Sequence, residues 1–334
     1  MKPHSDVTTA ARISRAIDSA FTPFIVALVV SGVIEFLTIR IFSRLGAILP
    51  KEEAVFVFFN GTIFLGSVFF NAASLLAVLA TIIAALILAR QSSWIDRVSA
   101  VTFLALAQLS ILFLLVSPEP LLSVTYNLAS ALVIVLLCIT VIRKGGRRLL
   151  TLGVSALLAG YLTSYYFKVM PGISQLLSQR MEPNYSIAVF NLGEAIAVAG
   201  AFLLFAALAL QDGLTTRRAV VSLTGIGAFA AAYLRSPWIT SILATWTVGF
   251  TLFLPFPIYA AAIGVYLYLI MTSHGKGTKL HYAFLLIFLG GRMLQLTYLN
   301  LLAILGVFLL RQELHKTVPV VPDSTKSPAK ATYP

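Results

Sequence analysis

Three ionisable residues stand deep inside apolar runs: Glu35, Glu194 and Arg292. A charge within a bilayer is costly, and where one persists it has a partner or a task. At 1.5 Å of rise per residue, all three fall about 10–15 Å below one membrane surface, so a guanidinium and two carboxylates share a depth. Guanidinium and carboxylate can join through two parallel hydrogen bonds. Asn191 lies one helical turn from Glu194, and Gln295 one turn from Arg292, which adds amides on the same faces. Glu35, Asn191, Glu194, Arg292 and Gln295 therefore predict a polar cluster in the outer half of a helix bundle. Such a cluster either receives a solute, a proton or a quinone headgroup, or serves as an interhelical ion pair that fixes which helices are neighbours.

Other chemistry is sparse. The sequence has no Gly-rich phosphate loop, no HExxH, no G-x-S-x-G and no pair of intramembrane aspartates to hold Mg²⁺. His4 and His315 sit in polar ends, and His274 and His281 flank a Gly-Lys-Gly-Thr-Lys loop expected at the outer membrane edge. A haem b with His281 as an axial ligand, or with Met271 or Met293, is the one cofactor these residues suggest. Cys138 stands alone within an apolar run, which excludes an internal disulfide and any CxxC site. Tyr161, Tyr165, Tyr166 and Lys168 fit an interfacial belt of aromatics and cations. Asn60, Asn71, Gln108 and Asn127 read as interhelical hydrogen-bonding groups. Asn60 and Asn184 head glycosylation sequons, and Asn184 falls on an expected outer loop.

The elements that must position these residues follow from composition. Of 334 residues, 59% are hydrophobic and only 11% charged, with a mean hydropathy of +0.94. Soluble domains carry about 25% charged residues, so too few charges remain here to cover a water-facing surface. The sequence is that of an all-α, polytopic transmembrane helix bundle. The excess of 24 Lys and Arg over 12 Asp and Glu would suggest nucleic acid as a partner in a soluble protein. In a membrane protein it is a signal of orientation, and no basic block with interleaved aromatics points to nucleic acid.

A polar N-terminal segment (1–19) precedes a first crossing at 20–42. Residues 54–89 exceed one crossing, and Asn60, Gly61 and Gly66 are the expected break sites, with an interfacial or re-entrant piece before about residue 67. Crossings follow at 98–116, 120–142, 149–168, 187–211 and 219–235, with 171–186 as an amphipathic surface segment. Pro255 and Pro257 divide the stretch from 238 to 272, and one last crossing runs from His281 to Arg311. About ten transmembrane helices result within residues 20–311, followed by a basic, Pro-containing cytoplasmic tail at 312–334. Counting Lys and Arg on alternate sides puts 15 inside and 8 outside, with both termini cytoplasmic in the cell membrane. A separate crossing within 54–67 would exchange the sides of the N-terminus and the first loop.

With no catalytic constellation, the leading expectation is a non-catalytic or cofactor-supporting membrane subunit of a larger complex. Such a complex could be respiratory, with further membrane or extracytoplasmic subunits beside the lipid. The alternative is a secondary transporter of a small solute or ion, using the Glu/Arg cluster and backbone groups freed at the helix breaks. A membrane-embedded lipid enzyme ranks third, for want of a nucleophile, metal site or acid/base pair.

Overall fold

The computed structural model describes residues 4–35, 37–39, 53–115, 119–145, 148–177, 278–291 and 297–317, together with residues 196, 199, 200 and 203. These contain seven helices and no strand: α1 (His4–Glu35), α2 (Glu53–Ala89), α3 (Trp94–Leu115), α4 (Pro120–Gly145), α5 (Arg148–Leu176), α6 (Thr278–Gly291) and α7 (Thr297–Thr317). Among the described residues, four stretches are long and apolar enough to cross a membrane: Ser19–Ile39, Asn60–Ala89, Trp94–Phe113 and Pro120–Arg143. Of the expected crossings between 187 and 272, residues 196, 199, 200 and 203 are described and are helical; the rest, with the break sites Pro255 and Pro257, lie outside the described residues.

Consecutive helices pack side by side, α1 on α2, α2 on α3, α3 on α4 and α4 on α5, as short connections require. The C-terminal helix α7 occupies the middle. It packs on α6, α4, α2 and α3, and every residue from Asn300 to Arg311 is buried. Phe308 is held edge-on between Phe21 of α1 and Phe103 of α3, with ring centroids 5.7 and 5.8 Å away. A helix apolar on all sides suits such a position, because no face needs water.

Why the helices close on one another is visible in residue size. The inward face of α2 carries Ala73, Ala77, Ala80 and Ala84, with Ser74 and Thr81, all buried. Its outward face carries Phe64, Val68, Leu75, Leu79 and Leu86, all exposed. A soluble helix does the reverse, burying large apolar groups. Lipid chains are as apolar as leucine, so helices in a bilayer gain from close backbone approach at small residues instead. Ser74, Thr81, Ser99 and Ser110 return their hydroxyls to the carbonyl four residues earlier on their own helices, so few buried hydroxyls lack an acceptor. The apolar exterior is compatible with a membrane location.

Several expectations need correction. α2 runs unbroken through Asn60, Gly61 and Gly66, with no re-entrant piece before residue 67. Gly66 serves contact instead: a Cβ there would lie 2.5 Å from the Thr38 hydroxyl and 2.6 Å from Ile39 Cγ1. With little water to compete for its backbone bonds, a membrane helix tolerates glycine. Likewise α5 continues through Pro171 to Leu176, where a surface segment was expected to have begun.

The last crossing is not one helix but two. α6 and α7 pack along each other, joined by residues 292–296. A Cβ on Gly306 would come within 2.7 Å of the Ala283 carbonyl oxygen and 2.9 Å of the Ile287 nitrogen. Gly306 is nine residues past the start of α7 and Ala283 eight before the end of α6, so the pair is antiparallel.

Contacts also fix which ends of the helices coincide. Phe21 meets Phe308 while Gly32 lies near Leu302, so α1 runs antiparallel to α7. Asp96 meets Arg311 and Phe103 meets Phe308, which makes α3 antiparallel to α7 as well. The start of α1, the 90–93 corner, the start of α6 and the end of α7 therefore share one end of the bundle. Lys279 and His281 belong to that end too, opposite to the outer edge expected for them.

Candidate functional site

Among the described residues, buried polar side chains gather in three places. The first is at the end shared by the 90–93 corner and the C-terminus. Arg311, 2% exposed, donates from Nη2 to the Asp96 carboxylate and to Gln91 Oε1 at 2.9 Å. Asp96 occupies the first turn of α3, where the Ser93 carbonyl accepts the Asp96 and Arg97 amides at 3.1 and 3.2 Å. A carboxylate is favoured there by the unpaired amides of a helix N-terminus. Arg311 Nε is buried and makes no hydrogen bond among the described residues. The set ties the last helix to the corner between α2 and α3.

Neither partner was singled out from sequence. Asp96 and Arg311 stand at the edges of apolar runs, and Arg311 counts with the cations of the C-terminal tail. The signal that bears on Arg311 is its place directly after ten apolar residues, Leu301 to Leu310, inside the same helix.

The second gathering lies in the opposite half. Asn300 of α7 donates from Nδ2 to Asn127 Oδ1 of α4 at 3.3 Å, and Asn127 donates to the Ser123 carbonyl at 2.8 Å. Tyr126, Tyr161 and Tyr165 are buried beside it, Tyr126 near Ser110 and Ser130, and Tyr165 near Tyr126, Tyr161 and Ser130. Tyr126 also meets Phe113 edge-on at 5.4 Å. The expected aromatic belt thus fails for Tyr161 and Tyr165, which face inward, whereas Tyr166 is exposed. Spacing explains the split: residues 161 and 165 share one face of α5, and 166 lies well around it. Of the four amides read as interhelical, Asn127 plays that part. Asn60, Asn71 and Gln108 are exposed.

The third place is Glu35, 2% exposed near the far end of α1 and not left without a partner. A π-helical turn follows at 37–39, where the Thr38 hydroxyl donates to the Ile34 carbonyl at 2.6 Å. Asn191, Glu194, Arg292, Gln295 and Asn184 lie outside the described residues. One relation bears on the expected cluster. Gly32, one turn before Glu35, approaches Leu289, and α1 and α6 run in the same direction. Glu35 therefore stands at the end of the bundle where α6 hands over to the link that begins with Arg292.

Among the described residues, no group of three or more His, Cys, Asp or Glu side chains is placed to hold a metal ion. His281 lies in the first turns of α6. Cys138 is buried and free. Comparison with protein-family models, with curated proteins and with solved structures returned no match.

Proposed function

We propose that this protein is a multi-pass integral membrane subunit of a larger assembly, holding partners in place rather than performing chemistry itself. The observation that supports this most is how its interior polar groups are used. Arg311, Asp96 and Gln91 join α7 to the α2–α3 corner, and Asn127 and Asn300 join α4 to α7. These side chains are occupied with one another, as in a scaffold. Further subunits, in the membrane or outside it, are the partners of this reading, with an electron-transfer complex as one setting. The positive-inside rule supports a cytoplasmic setting for the end bearing both chain termini. Every described Lys and Arg except Lys168 belongs to that end.

The reading is tested by gentle purification from the native membrane, with identification of co-migrating chains and an optical spectrum. Stoichiometric partner chains are expected, and a haem spectrum would add His281 as a ligand candidate. A lone, colourless protein would contradict the proposal.

One observation favours a second reading, a secondary transporter. Glu35 is buried in a crossing, next to a π-helical turn of a kind often found at functional sites, and in register with the link headed by Arg292. Solute-dependent flux in liposomes, lost in Glu35→Gln and in Glu194→Gln, is the result that would establish it.

A further inference from the structure

The outward stripe of α3 changes character along its length. Exposed residues recur on one face as Trp94, Arg97, Val98, Val101 and Leu104, the three- and four-residue spacing that sets side chains one above another. At about 33 Å, α3 is close to the thickness of a hydrocarbon core of about 30 Å, so its first turn stands at the boundary between headgroups and acyl chains. There an indole that is 68% exposed and a guanidinium lie one turn apart, and the large exposed side chains that follow are aliphatic as far as Leu104. Gln108, next on the stripe, is about 16 Å deeper than Arg97, more than one leaflet's share of the core, about 15 Å. Charge at this end is one-sided where it meets the surroundings. Asp96, beside Arg97 in sequence, is buried and spent on Arg311. Arg90, Arg97, Arg143 and Arg148 are exposed, whereas no carboxylate among the described side chains at that end is.

We propose that the first turn of α3 binds an anionic phospholipid, with its phosphate on Arg97 and Trp94 and one acyl chain along Val98, Val101 and Leu104. Charge complementarity selects the headgroup. A guanidinium holds a phosphate through two hydrogen bonds, and an indole N–H adds a donor at the interfacial depth that tryptophan favours. The aliphatic run selects a lipid over a soluble phosphate, since a cation at the boundary that continues into an apolar face matches a charged headgroup with its chain below it. The inference requires only that α3 spans the bilayer, and does not depend on any other subunit.

The test uses the full-length protein in bilayers. Trp238→Phe with Trp246→Phe leaves Trp94 as the one tryptophan, whose fluorescence is quenched by brominated acyl chains that touch it. In phosphatidylcholine bilayers, brominated phosphatidylglycerol is expected to quench at about fivefold lower mole fraction than brominated phosphatidylcholine, the contribution of one cation near an anionic lipid surface. Arg97→Gln is expected to remove that preference, and Arg97→Lys to keep part of it. Arg148→Gln, which removes another exposed charge from the same end on α5, is expected to leave it intact. A second readout uses the chain with all its tryptophans: lipid that co-purifies from bilayers of equal phosphatidylglycerol and phosphatidylcholine is expected to be enriched in phosphatidylglycerol, and not so in Arg97→Gln. Equal quenching by the two lipids, a preference that Arg97→Gln leaves unchanged, or one that Arg148→Gln lowers as far would each overturn the proposal. Quenching by neither lipid, the outcome if another protein covers this face, would overturn it as well.

Discussion

Arg311 and Asp96 show what a buried charge at the end of a helix bundle is for when it has a partner close by. Breaking a buried pair on one side leaves the other charge stranded, at a cost of about 3–5 kcal/mol. Arg311→Ala or Asp96→Ala is accordingly expected to lower the unfolding temperature in detergent markedly, whereas Arg97→Ala, exposed on the neighbouring position, is expected to have little effect. For the neutral pair, a double-mutant cycle on Asn127 and Asn300 should return a coupling of about 0.6–2 kcal/mol, as interhelical hydrogen bonds in membranes do. Asn127 could be read from sequence because an amide in an apolar run has few other uses. Arg311 could not, since a cation at the boundary of a crossing looks the same whether it faces water or turns inward. Glu35 was legible as a buried carboxylate.

Among the helices, α7 carries the fold and was the hardest to recognise. In a soluble bundle, periodicity would separate a central helix from a peripheral one. Within lipid the outward face is as apolar as the inward one, so Leu301 to Leu310 gives no sign of which it is. The turn between α6 and α7 left a faint mark in Gly290-Gly291, but an apolar run of that length suits one tilted helix equally well. By contrast, the α2–α3 corner was legible, because Arg90-Gln-Ser-Ser interrupts two strongly apolar runs. Residue size, mostly small inward (Val78, Ile87 and Leu88 aside) and large outward, is the pattern that distinguishes the faces of α2. Gly306→Val is expected to push α6 away from α7 and destabilise by about 1–3 kcal/mol, the usual range for overpacking. Gly61→Ala offers the opposite outcome: nothing lies near a Cβ there, so a gain of about 0.5–1 kcal/mol from helix propensity is expected. Thermal unfolding of both variants in detergent checks the pair.

At the scale of the whole molecule, composition sufficed for an all-helical chain with membrane-crossing helices, and contacts supplied the direction of each helix. Membrane-impermeant labelling of cysteines at Ser92 and Lys316 is expected to occur from one side of the membrane, and at Glu119 from the other. Labelling of Ser92 and Lys316 from opposite sides would dismantle the helix directions given above. The central claim is that the interior polar groups fasten helices together and handle no substrate. A buried ion pair of that kind can be exchanged for apolar groups of similar volume with little loss or even a gain of stability, provided both partners change together. The direct measurement is Asp96→Leu combined with Arg311→Met, assayed for unfolding temperature, for co-purifying chains and for its ability to replace the natural chain in the cell. The result expected is recovery of stability lost in either single alanine variant, with the same partner chains and full replacement. A stable, fully assembled double variant that cannot replace the natural chain would contradict the claim, because the pair would then be needed for chemistry rather than for the fold.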